Sequence, residues 1–277
     1  MAVEATAEWT ENRPTSGARA LRLGELWDYR ELVLFLALRD FKAKYKQAVF
    51  GIGWAVIQPV AGVLVFTIVF RELAGVPSDG IPYVVFALLG FVIWSYFAGS
   101  LAAASSSLVT NAALVTKIYF PRLAAPVAAL LPGLVQLGLG LVLAVCLMAY
   151  YGIAPGLKAV IFPLVVVGAI AVALGAGLFF AALNVKYRDV GNVLGLLMQL
   201  WLLASPVAYP SSLVPDEWRW VYALNPMVGV LDAARWSLLD APSPGADVLA
   251  SAATALGLLV LGLVYFQRTE RQFADLI

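Results

Sequence analysis

Long uncharged stretches separated by short charged segments dominate this chain. Residues 47–70 and residues 80–116 carry no Asp, Glu, Lys or Arg. A helix crosses the hydrocarbon core of a bilayer in about 20 residues, so each stretch is long enough to span it. The pattern predicts six transmembrane helices, at about 48–70, 81–103, 123–150, 159–183, 191–208 and 248–267.

The composition agrees with this pattern. Hydrophobic residues make up 62% of the 277 residues, and charged residues make up only 13%. A soluble domain of this length cannot bury so much apolar surface in one core. The ten-residue alternation of a membrane barrel is absent, so the sequence predicts an all-α, multi-span membrane protein.

The distribution of basic residues predicts the orientation. Six spans place both termini on one side of the membrane. Of the 18 Lys and Arg residues, 14 lie on that side, in the N-terminal region, the loops 104–122 and 184–190, and the C-terminal tail. Basic residues concentrate on the cytoplasmic side of membrane proteins, so both termini are predicted to be cytoplasmic.

A basic segment precedes the first span. On a helical wheel, Arg39, Lys42 and Lys46 form one side, and Leu38, Phe41 and Tyr45 form an adjacent apolar side. This arrangement predicts an amphipathic helix along the cytoplasmic face of the membrane. The chain then divides into a flexible cytoplasmic tail, this interfacial helix, a permease domain and a short cytoplasmic tail, at residues 1–20, 21–47, 48–267 and 268–277.

The predicted external segment between the last two spans, residues 209–245, is rich in Pro, Trp and Tyr. Its apolar periodicity predicts two short helices, at about 212–222 and 226–238. Two interpretations stay open for them. They either dip into the outer leaflet as re-entrant helices or form an aromatic belt at the membrane surface.

Several kinds of chemistry are missing from the sequence. The six predicted spans hold no charged residue, which disfavours coupling to an ion gradient. The chain has no His, one Cys and no P-loop motif, so it offers neither a metal site nor an ATP site of its own. The net charge of +1 disfavours nucleic-acid binding. Any uphill transport therefore needs energy from another chain.

Polar and small residues within the spans suggest helix packing and a transport path. The pair Gln58-Pro59 is expected to kink the first span, because Pro removes a backbone hydrogen bond. Gln58, Gln136 and Gln199 either bond to neighbouring helices or contact a substrate. Glycines at two places predict close helix packing: Gly133, Gly138 and Gly140, and then Gly168, Gly175 and Gly177.

Aromatic residues gather in the second and fifth spans and in the external segment. Aromatic faces stack on the apolar faces of sugar rings, but they also anchor helices at the membrane interface. The candidates are Trp94, Tyr96, Phe97, Trp201, Tyr209, Trp218 and Trp220.

Four segments resemble, in the same order, the membrane domain of ABC transporters that export polysaccharides such as O-antigens, capsules and teichoic acids. The first is RDFKAKYKQAVFGIGWAVIQPV, residues 39–60, and the second is KIYFPRLAAPVAALLPGLVQ, residues 117–136. The third is LNVKYRDVGNVLGLLMQLWLLASPVAYP, residues 183–210, and the fourth is EWRWVYALNPMVGVLDAARW, residues 217–236.

This resemblance implies a working unit of two permeases and two separate ATPase subunits in the inner (cytoplasmic) membrane. ATP and Mg would bind to the ATPase, and this chain would bind no cofactor. The substrate would be a glycan linked to a polyprenyl-diphosphate or related lipid. It would pass between the two permeases through a channel closed by the external helices.

The resemblance also assigns residues to roles. The implied channel lining is Gln58, Trp94, Tyr96, Phe97, Trp201, Tyr209, Trp218 and Trp220. The implied ATPase-facing residues are Arg39, Lys42, Lys46, Lys117, Arg122, Lys186, Arg188 and Asp189. The basic rim has a second possible role, which is to attract the lipid diphosphate.

Three other functions remain open from the sequence. The same fold would suit an exporter of drugs or small lipids. A membrane-embedded enzyme that modifies glycans or lipids would need paired acidic or His groups, which the sequence does not offer. A passive channel would need a charged or filter-like ring, which is also missing.

Overall fold

The computed structural model describes residues 23–46, 51–117, 120–187 and 189–273. The predicted tail at residues 1–20 lies outside the described residues. Within them the chain is helical and contains no strand, so the predicted all-α class is confirmed. The α-helices are α1 (Leu23–Asp28), α2 (Arg30–Tyr45), α3 (Trp54–Phe66), α4 (Tyr83–Thr110), α5 (Ala112–Lys117), α6 (Ala124–Tyr150), α7 (Phe162–Lys186), α8 (Val190–Leu203), α9 (Asp216–Ala223), α10 (Pro226–Leu239) and α11 (Asp247–Thr269).

Five helical segments in the described residues are long and apolar enough to cross a membrane. They correspond to the first, second, third, fourth and sixth predicted spans. Their bounds are Gly51–Leu73, Tyr83–Thr110, Ala124–Tyr150, Leu157–Lys186 and Asp247–Thr269.

Helix α8 covers the fifth predicted span only in part. It has 14 residues, which at 1.5 Å per residue give about 21 Å, less than the roughly 30 Å of the hydrocarbon core. Residues 204–209 then form turns and bends rather than more helix. The six-span topology therefore stays a prediction.

The first spanning segment changes its helical form along its length. α3 continues through Pro59 to Phe66, and a π-helical segment follows at Thr67–Leu73. Thr67 Oγ1 donates to the carbonyl oxygen of Val63 at 2.8 Å within this transition. Nothing in the sequence pattern predicted the π-helical segment. The predicted kink at Gln58-Pro59 stays a prediction.

Helix α4 is the centre of the bundle. It packs against α3, α6, α7, α8 and α10. Of its most apolar stretch, 72% is buried, against 33% or less for the other four spanning segments. α4 shows no polar face over its first 20 residues. A helix that is apolar on all sides is typically surrounded by other helices, as α4 is here.

Close approach of helices depends on glycine at several crossings. A Cβ on Gly175 of α7 would lie 2.6 Å from Cα of Leu259 of α11, and a Cβ on Gly262 would collide with the Gly175 carbonyl. Glycine is therefore required for the contact between these two backbones. The predicted close packing is also confirmed at Gly133 and Gly140, whereas Gly138 faces open space.

Five helices meet at one end of the bundle, which we call the basic end. A buried apolar cluster there joins Leu36 of α2, Leu108 of α4, Ala124 of α6, Val185 of α7 and Phe266 of α11. The predicted cytoplasmic loops and tail are thus brought to a single end. Their location in the cytoplasm stays a prediction.

The region predicted as one interfacial helix forms two helices, α1 and α2. Arg39 of α2 bonds to Asn111, directly after α4, and Lys44 bonds to Gln136, about three turns inside α6. α2 therefore slopes along α6, away from the basic end. Leu38, on the predicted apolar side, is 57% exposed. The residues that α2 buries are Val33, Leu36 and Ala37.

Candidate functional site

Three of the predicted channel residues are buried within the helical bundle. Trp94, Tyr96 and Phe97 are 5%, 2% and 0% exposed, because α4 is surrounded by its neighbours. The centre of the Phe97 ring lies 5.2 Å from that of Trp94 and 5.0 Å from that of Trp201 of α8. These aromatic contacts hold α8 against the middle of α4.

The other predicted aromatic residues lie nearer the surface. Trp218 and Trp220 of α9 are 62% and 68% exposed. The hydroxyl of Tyr222 donates to that of Tyr209 at 3.2 Å, and Tyr209 donates to the Leu203 carbonyl at 2.9 Å. Tyr209 therefore fixes the turn after α8.

Two apolar helices carry exposed amide side chains. Gln58 of α3 is exposed, and so are Asn192 and Gln199 of α8. α8 buries only Leu194 among its residues. An amide facing hydrocarbon is costly unless it finds a hydrogen-bonding partner, so these faces need water or another polar surface.

Two of the predicted ATPase-facing residues make contacts within the chain. Arg39 pairs with Asp40 at 2.7 Å and also donates to Asn111 Oδ1 at 2.7 Å. Arg122 donates to the backbone carbonyl of Glu270, just after α11. Both arginines join elements at the basic end.

The remaining predicted ATPase-facing residues do not join elements of the chain as these two arginines do. Lys42, Lys46, Lys186 and Asp189 are exposed at the surface. The Lys186 ammonium lies 5.2 Å from the centre of the Tyr187 ring. The other two predictions, Arg188 and the side chain of Lys117, lie outside the described residues.

Sequence reasoning counted Arg235 only as a loop charge, but the structure buries it at 2% exposure. Its guanidinium donates to the carbonyls of Pro206 at 2.5 Å and Val207 at 2.9 Å, and lies 3.5 Å from the centre of the Phe86 ring. Burial lowers the pKa of Arg235 to about 10, so it stays protonated at neutral pH. Arg235 thus ties α10 to α4 and to the turn after α8.

Asn225 is a second polar centre in this region. Its Oδ1 accepts from the backbone amide of Met227 at 3.0 Å and from Trp201 Nε1 at 2.8 Å. Its Nδ2 donates to the Ala204 carbonyl at 3.0 Å and to Ser205 Oγ at 2.9 Å. Asn followed by Pro is a typical helix start, and here it also joins α10 to the end of α8.

A polar pocket of about 230 Å³ lies between α2, α4 and α6. Lys44 lies at its mouth and donates to Gln136 Oε1 at 3.0 Å. Burial lowers the pKa of Lys44. The other polar residues that line the pocket are Asp40, Ser95, Tyr96, Ser100, Ser106, Ser107, Thr110 and Asn111.

Sequence reasoning missed the burial of Arg235 and the contact of Lys44, for different reasons. An arginine within the apolar segment that follows Asn225-Pro226 was a usable signal for Arg235. The predicted basic side of α2 consists of Arg39, Lys42 and Lys46 and does not include Lys44, which reaches Gln136 only because α2 packs on α6.

Known proteins resemble the chain over nearly all its length. It is 30% identical over 256 residues to the O-antigen export system permease protein RfbA of Myxococcus xanthus, covering 91% of this chain and 98% of the relative. It is 26% identical over 256 residues to a protein of the same name from Klebsiella pneumoniae, covering 92% and 97%.

The sequence profile of the ABC-2 type transporter family matches residues 31–239. Members of that family are transport subunits rather than enzymes, and they typically work with a cytoplasmic ABC ATPase. With five long apolar helices in the part of it that the structure describes, the chain is a multi-pass protein of the inner membrane, as the sequence predicted. This chain therefore belongs to the ABC-2 type transporter family.

Proposed function

We propose that this chain is the membrane subunit of an ATP-driven exporter that moves a lipid-linked polysaccharide across the cytoplasmic membrane. Two copies form the channel, and two separate ATPase subunits supply the energy. The names of the relatives, which are O-antigen export permeases, support a polysaccharide cargo. The structural observation that carries the channel is the set of exposed amides on α3 and α8.

The exposed amides support a water-filled surface between two copies. Gln58, Asn192 and Gln199 lie on apolar helices that both pack on α4. In lipid, such groups lack hydrogen-bonding partners, whereas a hydrated channel or a second copy supplies them. The buried rings of Trp94 and Phe97 support this wall from behind, through Trp201.

The external helices form the gate as a re-entrant hairpin, with Asn225 at its deepest point. Supporting this, Asn225 bonds to Trp201, whose ring packs on Phe97 in the middle of α4. The far end of α10 lies at the surface, where Asp240 pairs with Lys158 at 2.6 Å. Non-helical backbone at membrane depth needs buried, satisfied polar groups, and the four bonds of Asn225 provide them.

The exposed basic residues form the ATPase-docking surface. Lys42, Lys46 and Lys186 are exposed and positively charged, and Asp189 lies three residues after Lys186, at the start of α8. Arg39 and Arg122 shape the surface through their contacts within the chain. Complementary charges of this kind speed association and fix its geometry.

Co-purification tests the proposal. The chain is expressed with its neighbouring genes, tagged and isolated in mild detergent, and an ATPase subunit is expected in equal amount. Replacing Lys42 and Lys46 with Glu is expected to abolish this association. Replacing Arg71, an exposed cation at the opposite end, with Glu serves as the control. A wild-type chain that elutes alone would contradict the proposal.

A second experiment tests which substrate the complex transports. ATP hydrolysis by the reconstituted complex is expected to rise with added lipid-linked polysaccharide. Stimulation by small amphiphilic drugs instead would favour the drug-exporter function. Full export and coupling after substitution of both Lys46 and Arg122 would contradict the role given to the basic rim.

A further inference from the structure

Two buried hydroxyl groups in the pocket between α2, α4 and α6 have no hydrogen-bonding partner among the described residues apart from each other. Tyr96 and Ser100 are each 2% exposed. Neither Tyr96 OH nor Ser100 Oγ makes a hydrogen bond of ordinary geometry to any described residue. Buried polar groups are normally satisfied, so an orphaned pair that faces a cavity indicates a missing partner.

The charge of the pocket favours an anion. Asp40 lines the pocket but is neutralised by Arg39, which pairs with it at 2.7 Å. Lys44 bonds only to a neutral amide among the described residues, the Oε1 of Gln136. The ammonium group has further donor capacity, and no carboxylate of the pocket offsets its charge.

The mouth of the pocket lies near the expected level of the lipid headgroups. α4 has 28 residues and is therefore about 42 Å long, roughly 12 Å longer than the hydrocarbon core. With Tyr83 at one boundary, the last eight or so residues of α4 reach into the headgroup region at the basic end. Ser106 and Thr110 lie in this part, whereas Ser100 lies about 5 Å and Tyr96 about 10 Å further into the bilayer, so a headgroup phosphate must sit below the membrane surface to reach both hydroxyls.

We propose that this pocket binds the phosphate group of a lipid headgroup, with Lys44 and the hydroxyls of Tyr96 and Ser100 as donors. Phosphate oxygens only accept hydrogen bonds, which suits a pocket with unused donors, and Lys is a common phosphate ligand. The volume of about 230 Å³ is several times the roughly 30 Å³ of a water molecule, so a phosphate ester fits.

The phosphate has two possible sources, an anionic phospholipid of the inner leaflet or the polyprenyl carrier of the substrate. Only the second source rests on the proposed function. The pocket lies on the α6 side of α4, whereas Phe97 and Trp201 meet on its α8 side. A phosphate bound here would therefore lie beside the channel wall and not within it.

Lipid binding by the purified full-length chain tests the proposal. Native mass spectrometry measures apparent affinities for phosphatidylglycerol, a polyprenyl phosphate, and two lipids without phosphate, diacylglycerol and polyprenol. The pocket variants are Lys44→Gln and the double variant Tyr96→Phe/Ser100→Ala. Because the two hydroxyls are unpaired, the double variant is expected to fold normally.

Two matched controls accompany these variants. Arg71→Gln removes an exposed cation that does not line the pocket and has no role in the proposed basic surface. Ser105→Ala removes another buried, unpaired hydroxyl of α4, again outside the pocket lining. The unfolding temperature of every variant is measured alongside.

We expect both pocket variants to bind the phosphate lipids at least tenfold more weakly, and the controls to stay within twofold of wild type. Tighter binding of polyprenyl phosphate than of phosphatidylglycerol would identify the substrate carrier, and equal binding would identify bulk phospholipid. Equal affinity for lipids with and without phosphate would overturn the proposal. Pocket variants that bind like the controls would overturn it as well. Neither result depends on the ATPase.

Discussion

Two polar regions lie against the central helix α4, and they differ in how fully their hydrogen-bonding groups are paired. Around α10, Asn225 and the two terminal nitrogens of Arg235 bond to backbone carbonyls and side chains of the turn after α8, and Arg235 Nε is left without a partner among the described residues. In the pocket beside α2 and α6, the hydroxyls of Tyr96 and Ser100 have no partner among the described residues apart from each other. A paired network stabilises a fold, whereas an unpaired one is available to a ligand.

The difference follows from the backbone around each region. The turn at residues 204–209 is not helical, so its carbonyls need donors, and Arg235 and Asn225 supply them. The pocket is bounded by helices, in which most backbone carbonyls accept from amide groups of the same helix. Its hydroxyl groups are therefore not needed by the backbone.

The largest expected effect comes from Arg235→Ala. This change leaves the Pro206 and Val207 carbonyls buried without donors, so we expect a loss of about 3 kcal/mol in stability. Thermal unfolding in detergent measures it. Arg235→Lys keeps the charge but not the fork of donors, and its loss should be smaller. Wild-type stability of the Ala variant would contradict the anchoring role.

Asn225→Ala tests the same region at its other polar centre. It removes the cap at Met227 and the bonds to Trp201, Ala204 and Ser205, so a loss of about 2 kcal/mol is expected. Asn225→Asp keeps the acceptor and loses the two donors, which separates the cap from the bonds to the turn. An unchanged unfolding temperature for both variants would argue against this region as a paired network.

Gly133→Ala probes the wall of the pocket. The new Cβ would lie 2.7 Å from Ser100 Oγ and 3.2 Å from the Tyr96 ring, so a loss of about 1 kcal/mol and weaker binding of phosphate lipids are expected. Gly138→Ala, on the same helix but facing open space, should instead gain up to about 1 kcal/mol. The same unfolding and lipid-binding measurements apply, and equal behaviour of both variants would contradict the close contact.

The smallest effect on stability is expected from Tyr96→Phe and Ser100→Ala. The two hydroxyls contact only each other, without the geometry of a strong hydrogen bond, so each change should alter the free energy of unfolding by less than about 0.5 kcal/mol. Chemical denaturation in micelles measures it. A loss above 1 kcal/mol would mean that the hydroxyls belong to a paired network, as the polar groups around α10 do.

Much of the fold follows from local features of the sequence. Five of the predicted spans coincide with long apolar helices, and two short helices form in the external segment, at Asp216–Ala223 and Pro226–Leu239. The π-helical segment at Thr67–Leu73 and the short α8 had no such local signal. The surroundings of the candidate site residues were less predictable, because the burial of Trp94 and Phe97 depends on how other helices pack around α4. Their role as channel-lining residues stays a prediction.

The sequence by itself determined that the chain is a helical membrane protein of a transport family. In lipid, each helix must make its backbone hydrogen bonds within itself. The length and hydrophobicity of a single segment are therefore enough to identify it as a membrane helix. Only the tertiary structure decided which polar groups meet. Lys44 reaches Gln136 because α2 packs along α6, and Arg235 is buried because α10 folds back against α4. Such pairings depend on which helix faces come together, and no pattern along a single segment records that.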